Sequence, residues 1–187
     1  MNYAEKYLAL YKEIRKDREY IADARKKVAD GITNHYRLTI EQYAELLKLK
    51  DSLPTMDDAL SEKEQLLHKM QYDFPAMYKA WCTLDASKID EADMKLLSPL
   101  FADADTIVSL AEKHKNNATM MQAIRKYVAS DKNINVYLPD NNDTLIAMNQ
   151  IFSIVTRAEQ NSTGYHARLL AKDGSIDSLV SQVAMPF

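Results

Sequence analysis

Glycine occurs only at positions 31, 164 and 174 of this 187-residue chain. Sheet proteins and nucleotide-binding α/β folds need many tight turns and close backbone approaches, which glycine usually supplies. Three glycines, combined with long unbroken stretches that mix charged and apolar residues, predict an all-α protein. Hydrophobic residues make up 47% of the chain, enough for a core, so it is not a disordered polymer. The length suits one domain, or one compact domain with a helical appendage.

The stretch YKEIRKDREYIADARKKV, Tyr11 to Val28, contains neither glycine nor proline. Both charge signs are interleaved in it at helical spacing, as on a solvated helix laced with i,i+4 pairs. Beneath the charges runs a seam. Tyr7, Ile14, Ile21 and Val28 recur every seven residues, and Tyr11, Arg18 and Arg25 each follow four residues later. Tyr3 widens the stripe at its start. This is a heptad pattern with apolar residues at one core position and Tyr, Arg, Arg at the other; arginines there weaken a coiled coil but fix its register or partner. The pattern predicts a helix over about 2–30, stopped by Gly31. The seam residues Tyr3, Tyr7, Tyr11, Ile14, Arg18, Ile21, Arg25 and Val28 are the candidate interaction site.

Further helices follow. Thr39-Ile40-Glu41-Gln42 reads as a capping box, with Pro54 ending that helix and Thr55 opening the next, to about Tyr72. Asp73-Phe74-Pro75 reads as a joint, because proline favours the first turn of a helix. Helices are then expected near 75–84, 88–97, 99–115, 118–130, 144–160 and 176–184. The segment 144–156 carries no charge, which predicts a helix buried around most of its circumference. The expected organisation is an N-terminal helical hairpin or three-helix arm over 1–72, coiled-coil-like, followed by a helical bundle over 73–187.

Several strings point to chemistry that their context denies. DEAD, Asp90 to Asp93, lacks the Gly-rich phosphate loop that a helicase requires; it reads as a carboxylate-rich helix start. Asp131 to Asn142 resembles a calcium loop, but Val136 stands where glycine is needed and Asn142 where a bidentate glutamate is needed. Asp103 and Asp105, two residues apart, do not share a helix face. The helices flanking SLPT mimic a helix-turn-helix, yet the second begins MDDALSEKE, placing carboxylates where phosphates would lie. His35, His68, His114 and His166 have no metal-ligand spacing around them, and Cys82 is the only cysteine. No cofactor or metal is expected to matter to the fold.

Charge narrows the partners. Residues 1–30 hold eight Lys/Arg against six Asp/Glu, and residues 51–110 hold five against twelve. Tight duplex DNA binding needs a basic face that this distribution does not supply. The opening MNYAEKYLAL carries charges where a secretory leader needs an apolar run, no segment is apolar enough to span a bilayer, and a disulfide within the chain is impossible. The expected setting is cytoplasmic and reducing, or inside a phage-type assembly. The expected function is a non-enzymatic helical assembly or interaction protein, self-associating through its first helix as a homo-oligomer or binding a protein partner, with no small-molecule substrate in view. The alternatives are a nucleic-acid-associated accessory protein and an enzyme whose active site is dispersed along the sequence.

Overall fold

A computed structural model describes residues 1–131, 133–172 and 174–187. It is 77% helical and all-α. Among the described residues there are eight α-helices, and the one β contact is an isolated antiparallel bridge between Asn2 and Pro186. The helices are α1 (Tyr3–Thr33), α2 (Ile40–Cys82), α3 (Glu91–Leu96), α4 (Ala104–His114), α5 (Ala118–Ser130), α6 (Asn141–Gln160), α7 (Tyr165–Ala171) and α8 (Asp177–Gln182). None of the described helices is long and apolar enough to cross a membrane. The chain divides into two compact units: Tyr7–Tyr72, and Met1–Lys6 together with Asp73–Phe187.

The first unit is an antiparallel helical hairpin. As the chain advances along α1, its partners on α2 retreat: Asp17 meets Lys63 at 2.8 Å, Arg25 meets Asp57 at 2.7 Å, and Gly31 packs on Leu46. Gly31 does not stop α1, which runs on to Thr33. A Cβ at Gly31 would lie 2.6 Å from Leu46 Cδ2, so the missing side chain lets the two helices close together. A 3-10 turn over His35–Arg37 reverses the chain. α2 then opens with the Thr39 capping box: the Gln42 amide N–H donates to Thr39 Oγ1 at 3.2 Å, and the Thr39 N–H donates to Gln42 Oε1 at 2.9 Å.

α2 departs furthest from expectation. It is a single 43-residue helix that passes through both Pro54 and Pro75, where separate helices were anticipated. An interior proline forfeits one backbone hydrogen bond and costs about 3 kcal/mol. Tertiary contacts on either side of Pro54 hold the helix together across it. Leu46 is buried against α1 before the proline, and Asp57, Lys63 and Glu64 pair with α1 after it. Ser52 Oγ also donates to the Leu49 carbonyl at 2.7 Å. Beside Pro75, Phe74 is anchored in the second unit by the rings of Tyr3 and Phe152, each centred 5.4 Å away.

The second unit is built on α6, which packs against α7 and α8. Asp140 and Asp143 form a capping box at its start. Its buried residues are Thr144, Ala147, Met148, Ile151, Phe152, Val155 and Ala158, which form one stripe at helical spacing. The absence of charge predicts burial around most of the circumference; the exposed remainder holds Ile146 and the neutral Asn149, Gln150 and Ser153. The Thr144 hydroxyl, fully buried, donates to the Gln182 carbonyl at 3.2 Å and accepts from the Ala184 N–H at 3.0 Å, tying α6 to the end of α8 and the chain just after it.

A second core cluster joins α4 and α5 through Ile107, Leu110, Ala111, Met121 and Ile124. Ile134, Val136 and Leu138, each partly buried, pack on it from an extended segment outside any strand, so the alternating residues of the calcium-like stretch cover the core. Asp131 Oδ1 caps its own turn by accepting from the Asn133 N–H at 3.0 Å; Lys132, within that stretch, lies outside the described residues. α4 begins at Ala104 rather than at Pro99, because Asp103 is its N-cap, accepting from the Thr106 N–H at 2.8 Å.

Candidate functional site

The residues of the predicted seam separate into two groups. Tyr7, Tyr11, Ile14, Ile21 and Val28 are buried, and so is Tyr3, whose ring packs at a tilt against Phe74 and Phe187 in the second unit. Arg18 and Arg25 lie at the hairpin surface and reach carboxylates of α2. Arg18 meets Glu64 at 2.7 Å, and Arg25 Nη2 reaches both oxygens of Asp57 at 2.7 Å. Exposed pairs of this kind contribute about 0–1 kcal/mol each. Both pairs join α1 to α2 and are compatible with one register of the hairpin.

Large apolar side chains are exposed at the turn end of the hairpin. Ile40 is 86% and Tyr36 68% exposed. Tyr43 and Leu47 continue the Ile40 stripe along α2 at spacings of three and four, and Ile32 ends α1 nearby in sequence. The His35 ring lies 6.1 Å from Tyr36 and 6.4 Å from Tyr43, so the turn carries a small aromatic cluster. At the same end of the hairpin, Lys26, Lys27 and Arg37 line a groove together with Asp23, Asp30 and Glu45, so both charge signs are present there. Helical spacing puts Ile40, Tyr43, Leu46 and Leu47 on one side of α2; Leu46 is buried and the other three are exposed.

A cluster of titratable groups lies in the second unit, where α3 meets the end of α4. Asp90 is the N-cap of α3; its Oδ1 accepts from the amides of Ala92 and Asp93, each at 3.1 Å. Its Oδ2 lies 3.6 Å from Lys113 Nζ. Asp93 is buried and receives two donors on Oδ2: Lys113 Nζ at 2.6 Å and His114 Nε2 at 2.5 Å. The Lys113 bond, with that of His114 second, holds the Asp93 carboxyl below the usual carboxylate range, and the same contact raises the Lys113 ammonium above its ordinary value. His114 therefore donates through Nε2 to an ionised carboxylate. The ligand atoms of Asp90, Asp93 and His114 all lie within 4.8 Å of one another. Neighbouring bonds fix the frame. Asn117 Nδ2 donates to the Lys88 carbonyl at 2.7 Å, and the Asp85 N–H donates to Thr119 Oγ1 at 3.2 Å.

No spacing rule exposes this cluster, because Asp93 and His114 are 21 residues apart. Its visible trace was DEAD, read as a helix start; the structure bears out that reading and adds the buried role of Asp93. The other histidines do not join it among the described residues. Cys82 is half-buried, with Asn141 Nδ2 3.6 Å from its sulfur. The neighbouring Tyr78 hydroxyl is pushed up to about 12, first by burial and then by its bond to Cys82.

Comparison with protein-family models, curated proteins and solved structures returns no match.

Proposed function

We propose that the protein is a non-enzymatic helical assembly or interaction protein that self-associates through its N-terminal hairpin. The supporting observation is the exposed apolar and aromatic group at the turn, where Ile40 and Tyr36 project with most of their surface in water. Leaving such side chains in water costs about 25 cal/mol per Å2 of apolar surface relative to burying them. A hairpin end that concentrates them gains from being covered. The apolar members of the heptad seam are buried within the chain, so the surface assigned to a second copy is the turn end, not the seam.

Charge favours a second copy over a polyanion. Residues 7–72 hold twelve Lys/Arg and twelve Asp/Glu, so two hairpins do not repel at long range, and nothing steers a nucleic acid to them. Both signs at the turn also suit a two-fold contact in which the same surface meets itself. The test is oxidative cross-linking of the full chain with Cys82→Ser in the background. Cysteine placed by Ile40→Cys is expected to give a covalent dimer, while Lys95→Cys, on the exposed face of α3, gives none. Equal cross-linking from both positions, or none from Ile40→Cys, contradicts the reading.

A further inference from the structure

We propose that Asp90, Asp93 and His114 form a binding site for a divalent transition cation of the zinc class, with the Lys113 ammonium as its built-in competitor. The proposal is independent of self-association and concerns the second unit alone.

The donor set decides the chemical class. An imidazole nitrogen with two carboxylate oxygens suits zinc and its first-row neighbours, whereas calcium and magnesium favour oxygen ligands alone. Three protein ligands leave a fourth tetrahedral position open to water. The ligands come from two helices, α3 and α4, so a bound ion would cross-link the elements that sequence-distant residues bring together. Two of the three are buried, the Asp93 and His114 side chains being 11% and 10% exposed, which shields the site from competing water. The third is already oriented: the two backbone amides on Asp90 Oδ1 hold its carboxylate and leave Oδ2 turned toward Lys113. Such outer hydrogen bonds orient metal-ligating groups.

Lys113 shows that the position attracts a cation and fills it incompletely. One ammonium serves two carboxylates; it bonds Asp93 at 2.6 Å but stands 3.6 Å from Asp90, beyond hydrogen-bond distance. With His114 neutral, the four groups carry a net charge of −1, and a divalent ion in place of the ammonium would balance both carboxylates. The Lys113 side chain is 57% exposed on a flexible stem, so it can withdraw to water still protonated. His114 and Asp93, now in direct contact, need a small separation to admit an ion between them; the neutral imidazole then carries its one proton on Nδ1, by exchange through solvent, and offers the Nε2 lone pair to the ion.

The experiment is calorimetric titration of the chelator-treated full chain with Zn2+, paired with the visible absorption of Co2+ as a report on ligand type. One Zn2+ per chain is expected. Asp90→Asn, which can keep the helix cap while losing the anionic ligand, and His114→Ala should each weaken binding by about tenfold or more. Lys113→Met should bind Zn2+ more tightly than the native chain, the outcome that a purely structural ion-pair network cannot produce. Circular dichroism checks that each variant is folded, and Asp90→Asn carries the ligand test if His114→Ala is not. Absence of binding by both the native and the Lys113→Met chains overturns the proposal, as does unchanged affinity in folded Asp90→Asn.

Discussion

At Gly31 two residue-scale effects oppose one another. In an exposed helix interior, replacing glycine by alanine gains about 1 kcal/mol, because alanine has less backbone freedom to lose. Here the new methyl would lie 2.6 Å from one Leu46 terminal carbon and 2.8 Å from the other, with Leu46 itself buried. Contact wins over propensity, and Gly31→Ala should lower the midpoint of chemical denaturation; a gain of about 1 kcal/mol would show that Leu46 moves aside freely. Phe152 presents the simpler case of a large ring removed from a core. It is 6% exposed and meets Phe74 edge-on at 5.4 Å. Phe152→Ala should cost about 3–5 kcal/mol in the same measurement, and a loss below about 1 kcal/mol would place the ring outside the cooperative core.

At the scale of elements, what was readable from sequence was what is decided locally. The Thr39 box, the Asp90 cap and the helix over 118–130 depend on residues within three or four of each other, and the corresponding bonds are present. What escaped was decided by distant contacts. Pro54 carries a local stop signal, yet α2 continues because α1 holds it before and after the proline. Pro54→Ala restores the missing donor and should raise stability by up to about 3 kcal/mol, less the unfolded-state freedom that proline had removed. Denaturant titration reads this directly, and a loss of stability would mean that the hairpin needs the proline's local geometry. α7 was missed because its seven residues follow Gly164, which provides no side-chain cap. The Asp90–Asp93–His114 cluster was illegible for a related reason. Its two halves flank a turn around residues 98–102, and the packing of α4 on α5 and the bonds from 85–90 to 117–120 help bring them together.

At the scale of the molecule, the functional account rests on where the apolar stripe of α1 goes. A heptad seam read alone implies a partner helix, and a second chain is the usual supplier. Here the apolar seam residues are buried, and Arg18 and Arg25 find carboxylates on α2 of the same chain. Sequence alone does not choose those partners, since carboxylates lie on α1 itself, where a second copy would present them, and on the following helix; Arg18 pairs with Glu64 and Arg25 with Asp57. Self-association then depends on the turn end, with Tyr36 and Ile40 at its centre. The most direct test is sedimentation equilibrium of the intact chain at tens of micromolar, alongside the double variant Tyr36→Ser, Ile40→Ser. The account predicts a native mass above that of one chain that rises with concentration, and a monomeric variant of unchanged helicity. A native protein that sediments as one chain throughout, or a variant that associates as strongly as the native protein, contradicts it.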